Sequence, residues 1–130
     1  MTRALLLMTL GVVACAKPPP PKIEPPPSTL EWPKGAPRRI AVNAYAEYEK
    51  LTKILAGFAI PVVKGREALQ AEVTLHFSRC DELSQQGTVA RIEETESGRV
   101  LLYLSRPMGE CEPLMYDVAR AITTSWSAKK

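Results

Sequence analysis

The chain has 130 residues, with 17 Lys and Arg against 14 Asp and Glu for a formal net charge of +3, a single His, three Cys and 12 Pro. Acidic and basic side chains are mixed through its second half with no basic run, which argues against a dedicated nucleic-acid binder. With the apolar N-terminus and a proline-rich stretch set aside, about 90 residues remain, enough for one domain with one modest core.

The first element in chain order is a secretory signal over residues 1–14. Arg3 supplies a positive n-region, residues 4–13 are almost unbroken apolar sequence, and Ala14 is a small residue directly before Cys15. Roughly ten apolar residues fall short of the ~20 that a membrane-spanning helix needs. The run Val12-Val13-Ala14-Cys15 resembles the lipobox of bacterial lipoproteins. That resemblance implies removal of the signal and acylation of Cys15, leaving the protein anchored to a membrane by its N-terminal lipid. Ala16 stands where an aspartate is associated with inner-membrane retention, so the implied address is the outer membrane, on its periplasmic side.

Residues 15–37 are predicted to be a lipidated tether. Pro18 to Pro21, Pro25 to Pro27, Pro33 and Pro37 punctuate it. Proline fixes φ and donates no hydrogen bond, so a polyproline II spacer of about 3.1 Å per residue is expected, reaching roughly 60 Å. Lys17, Lys22, Lys34, Arg38 and Arg39 give this region a local basic excess, suited to solvating a linker or to touching anionic head groups. Trp32 is the one aromatic in the tract, with a place either on the domain or at the lipid interface.

The domain is predicted over residues 38–130. Ile40-Ala41-Val42 reads as a first strand. Tyr45, Tyr48, Leu51, Ile54, Leu55 and Phe58 recur at helical steps and predict an amphipathic helix ending near Gly57, before Pro61. A brief strand at Val62-Val63 and a helical turn from Arg66 to Ala71 follow. Val73, Leu75 and Phe77 alternate with Thr74, His76 and Ser78, the period of a strand with one buried face. Strands over Thr88 to Glu94 and Arg99 to Ser105 flank Glu96-Ser97-Gly98, a hairpin turn. Leu114, Met115, Val118, Ala119, Ile122 and Trp126 mark a last helix with Pro113 in its first turn. The predicted fold is α+β, a two-layer sandwich in the order β-α-β-β-β-α, with a mostly antiparallel sheet and two helices on one face.

With Cys15 assigned to lipid, Cys80 and Cys111 are an even pair in an oxidising compartment and are predicted to form a disulfide. The bridge would gather Asp81, Glu82, Glu110 and Glu112 at one end of the sheet, a candidate cluster for a divalent cation or a basic partner surface. His76 lies in mid-strand on the predicted outer face. No nucleophile-and-base pair, paired acid and base, or phosphate-binding glycine loop is present, so no catalytic residue and no cofactor is assigned. Leu101 and Tyr103 fall on the strand face opposite Val100, Leu102 and Leu104, and form a candidate partner surface if that face is uncovered.

Gln70-Ala71-Glu72-Val73-Thr74-Leu75, Val89-Ala90-Arg91-Ile92-Glu93 and Thr95-Glu96-Ser97-Gly98-Arg99-Val100 resemble a pattern in the peptidoglycan-synthase activator lipoproteins and the curli-secretion channel lipoproteins. The element order and the run Gly57-Phe58-Ala59-Ile60-Pro61-Val62-Val63 are similar to the lipopolysaccharide-assembly lipoproteins. These resemblances imply a non-catalytic, lipid-anchored envelope accessory protein that binds or assembles a larger envelope complex. The alternative is a lipid or glycolipid carrier in outer-membrane biogenesis, with a pocket between helices and sheet.

Overall fold

The computed structural model describes residues 26–80 and 87–128. In chain order the elements are β1 (Ile40–Asn43), α1 (Tyr48–Gly57), β2 (Val62–Val63), α2 (Arg66–Leu69), β3 (Val73–Phe77), β4 (Thr88–Glu94), β5 (Val100–Arg106) and α3 (Cys111–Ser127). The fold is α+β, built on one five-stranded sheet in the order β2-β1-β3-β4-β5. β1 runs parallel to both β2 and β3, whereas β3, β4 and β5 form an antiparallel meander. The antiparallel ladders are the longer ones, so the sheet is mixed with its antiparallel half dominant. The two parallel contacts follow from the connections: α1 carries the chain from β1 to β2, and α2 returns it to β3 on the other side of β1, and each crossover brings the next strand back in the same direction.

α1 buries Leu51 and Leu55, one turn apart, and ends in a Schellman arrangement. There the Ile60 N–H donates to the Leu55 carbonyl at 3.0 Å and the Ala59 N–H donates to that of Ala56 at 2.9 Å. Ala59, at φ 59°, occupies the left-handed position that glycine usually fills. In α3, Pro113 is the third helical residue, where its missing N–H removes no intrahelical bond. The stripe Leu114, Met115, Val118, Ala119, Ile122 and Trp126 is buried as its spacing predicts. It closes over Ile40, Val73, Leu75, Ile92 and Leu102 of the sheet, together with Leu51 and Leu55 of α1.

Two expectations change. First, the packed unit does not begin at Arg38. Leu30 and Trp32, both 4% exposed, belong to the core, so nearly half of the expected 15–37 tether, from Pro27 on, is a strap laid on the domain. Burying one large aliphatic and one indole outweighs the preference of a proline-rich segment for solvent. Second, β5 does not alternate cleanly. Ile92 is paired with Leu102 and Glu93 with Val100, so Leu101 has no residue opposite it on β4. This β-bulge turns Leu101 inward as well as Leu102, and both are buried.

Candidate functional site

The strap crosses the β5 side of the sheet and then passes beneath the end from which β1, β3 and β5 start. Its first fixed point is the Pro27 carbonyl, which accepts the Tyr103 N–H of β5 at 2.7 Å. Next come Leu30 and Trp32, two residues apart and both buried. A turn follows at Gly35 (φ 82°), closed by the Ala36 N–H on the Pro33 carbonyl at 3.1 Å, and β1 begins soon after. The Trp32 Nε1–H donates to the Ala36 carbonyl at 3.2 Å, which sets the ring across the strap's own turn.

Trp32 meets the edge of Trp126 near the C-terminus of α3, with centroids 5.2 Å apart and planes at 85°. This is a favoured geometry for two quadrupolar rings. Arg38 closes the contact from the other side: its Nη2 donates to the Trp126 carbonyl at 2.9 Å, and its guanidinium lies 5.9 Å from the Trp126 ring centroid. An exposed carbonyl in the last turn of a helix is a natural partner for a cation. Between strap, β5 and the end of α3 lies a groove of about 1050 Å³, lined among others by Pro27, Leu30, Trp32, Val100, Leu101 and Ser125. Trp126 is 9% exposed, and its Nε1 has no hydrogen-bond acceptor among the described residues.

The opposite end of α3 is held covalently. Cys80, just after β3, is joined to Cys111, the first residue of α3, with Cα atoms 5.8 Å apart. The Cys80 N–H donates to Glu47 Oε1 at 2.9 Å, tying the start of α1 to the same place. Of the four acids expected to cluster there, the two that are described each meet a cation. Glu110 accepts from Arg106 at 2.7 Å and Glu112 from Lys50 at 2.7 Å, while Asp81 and Glu82 lie outside the described residues. Arg106 also grips Asp117 with two donors, at 2.6 and 3.2 Å. Those hydrogen bonds, helped by Arg120, hold the Asp117 carboxyl below its ordinary range against the opposing effect of burial, and the same carboxylates raise the Arg106 pKa. Among the described residues no three His, Cys, Asp or Glu side chains are grouped to hold a metal ion.

His76 is on the outer face of the sheet. Asn43 Nδ2 lies 3.2 Å from its Nδ1, and its Nε2 lies 3.6 Å from Glu93 Oε1. Glu93 is also paired with Arg91. Asn43, His76, Arg91 and Tyr103 are successive cross-strand neighbours and form a polar row across the sheet.

Of the candidate partner residues, Leu101 is buried in the core rather than presented on the surface, and Tyr103 is half-buried beside the strap. Cys15 lies outside the described residues. Sequence reasoning missed Leu30, Arg38 and the pairing of Trp32 with Trp126. The available signal was Leu30-Glu31-Trp32, two large apolar side chains at strand spacing inside a proline tract that otherwise has little to bury. No protein-family model matches the chain, and no curated protein is similar enough to it to show kinship.

Proposed function

We propose that this protein is a lipid-anchored, non-catalytic binding or assembly module of the cell envelope, held on the periplasmic side of the outer membrane, where it docks onto a larger envelope complex. The reading is carried by one continuous arrangement. A lipobox-like Val12-Val13-Ala14-Cys15 leads through a short proline run into a strap seated on the edge strand of a small domain. Because the strap begins at Pro27, the free tether is twelve residues rather than the whole of 15–37. At about 3.1 Å per residue its polyproline II reach is about 37 Å. A domain on so short a leash samples a shell near the membrane at high effective concentration, which lets a weak intrinsic contact reach useful occupancy.

Docking is favoured over carriage of a lipid because the space between helices and sheet is filled. Leu51, Leu55, Leu75, Ile92, Leu102, Leu114, Met115 and Ile122 are fully buried there, whereas a carrier needs an enclosed apolar cavity of several hundred Å³. Among the described residues no helix is long and apolar enough to cross a membrane, so the proposed attachment runs through Cys15. Cys15→Ser tests this reading. The expected result is a soluble or unprocessed form and loss of envelope crosslinks made by the lipidated protein. Unchanged fractionation with the membrane would overturn the anchor.

A further inference from the structure

We propose that the Cys80–Cys111 bridge is a thiol-exchange site that a dithiol reductant opens in the folded protein, with Cys80 the sulfur that takes the incoming thiolate and Cys111 the sulfur that leaves. Both cysteines are half-buried and pack against the margin of the core rather than inside it. The bridge joins the end of β3 to the first residue of α3, so a thiol reaches it without the sheet coming apart.

The two sulfurs stand in opposite electrostatic surroundings. Cys111 opens a 17-residue helix whose N-cap residue, Glu110, supplies no side-chain acceptor to the first turn. A negative charge on its sulfur is therefore favoured by uncapped amides and the positive end of the helix dipole. The flanking carboxylates that would oppose that charge are each engaged by a cation, Glu110 by Arg106 and Glu112 by Lys50, both at 2.7 Å. Cys80 has the reverse setting. Its sulfur lies 3.8 Å from the Ser78 carbonyl oxygen, and the Thr88 hydroxyl 3.7 Å away is shared with the Ser78 hydroxyl. Its N–H is bonded to Glu47 Oε1, while Glu47 Oε2 is buried without a hydrogen-bond partner among the described residues. The adjacent cation, Arg79, is drawn to the Tyr45 ring, 4.8 Å from its centroid. A carbonyl oxygen and a carboxylate disfavour a thiolate on Cys80. The sulfur that better carries the charge leaves faster, so attack falls on Cys80.

The exchange balances in two steps. One thiolate of the dithiol bonds to Cys80 Sγ, the Sγ–Sγ bond breaks, and its electron pair leaves on Cys111. The second thiolate then displaces Cys80 and closes the donor's own disulfide. Two electrons pass from donor to bridge, and the donor's two protons reach the cysteines through solvent. α3 stays docked, because Leu114 and Met115 are buried and Asp117 is held by Arg106 at 2.6 Å. What loosens is the joint at which Glu47, just before α1, hangs on the Cys80 backbone beside the start of α3. Redox state thus sets how firmly α1, β3 and α3 are joined at one end of the domain.

The test treats the full chain with dithiothreitol under native conditions, with acid quench, alkylation and mass counting of free thiols. Opening is expected to be first-order in dithiothreitol and at least about 10-fold faster than global unfolding in the same buffer, with near-UV circular dichroism retained. An opening rate that plateaus at the unfolding rate overturns native-state exchange, and an opened protein without that dichroism overturns the local joint. Cys80→Ala and Cys111→Ala read the two sulfurs separately. The thiol remaining at Cys111 is expected to react with iodoacetamide at pH 7 about 10-fold faster than the thiol remaining at Cys80. Equal or reversed rates overturn the assignment. Should either variant not fold, wild type treated with excess glutathione, acid-quenched and trapped with a maleimide decides: glutathione on Cys80 and maleimide on Cys111 are expected, and the reverse map overturns it.

Discussion

Replacing Trp32 with alanine separates a strap that belongs to the fold from a tether that does not. The side chain is 4% exposed, is stacked edge-on against Trp126 and donates a hydrogen bond to Ala36. Removing a buried indole from a rigid core costs about 3–5 kcal/mol. The lower figure applies here, because a surface strap relaxes or lifts instead of preserving the cavity. About 0.5–1.5 kcal/mol of that loss belongs to the ring pair itself. For a domain of this size each kcal/mol moves the melting temperature by about 4–8 °C, so a loss of about 3 kcal/mol lowers Tm by about 12–24 °C. The assay is thermal unfolding followed by near-UV circular dichroism, where the coupled indoles contribute directly. Trp126→Ala and the double variant complete a cycle, with an expected coupling of about 1 kcal/mol. A Trp32→Ala protein that melts within about 4 °C of wild type would refute the docked strap.

Reducing the Cys80–Cys111 bridge, whose cysteines are 31 residues apart, should destabilise the domain by about 3.7 kcal/mol in the chain-entropy treatment, seen as a large drop in Tm under reductant. An unchanged melt would mean that the bridge constrains nothing in the unfolded chain. Asp117 predicts the acid limb. Its carboxyl pKa is lower in the folded protein than the ordinary value of 3.8, chiefly through hydrogen bonds from Arg106. Its stabilisation is therefore complete above that ordinary value and lost as pH falls through the lower folded value. Asp117→Asn should melt lower than wild type at pH 7 and lose less stability on acidification to pH 2; parallel pH profiles would contradict the pairing. Leu101→Ser should destabilise the fold by about 2–4 kcal/mol in denaturant titration. Tyr103→Ser, at a half-buried position whose backbone N–H holds the strap, should cost clearly less. Equal and negligible effects would return Leu101 to the surface.

Much of the fold was legible because it rests on local periodicity. Val73, Leu75 and Phe77 alternate and are buried in alternation, and the helical stripe from Leu114 to Trp126 is buried along its length. The Cys80–Cys111 pair followed from counting cysteines once Cys15 was assigned to lipid. Spacing also says nothing of cations arriving from elsewhere in the chain: Arg106 of β5 pairs with Glu110 and Lys50 of α1 with Glu112, while Asp81 and Glu82 lie outside the described residues. Leu101 was misplaced because Leu101 and Leu102 are equally apolar, and a bulge that brings both inward leaves no mark on a hydrophobicity pattern.

The amino-acid sequence alone determined the class of fold, the positions of its elements and the disulfide pair. Each of these depends on neighbours in sequence or on residue type. Tertiary structure alone decided that Leu30 and Trp32 leave the proline tract for the core, that Arg38 caps α3 across 88 residues of chain, and that the edge strand is covered from within. Those contacts join residues whose local preferences are silent or opposed. They form because burying two large side chains against β5 and Trp126 stabilises more than solvating a polyproline segment does.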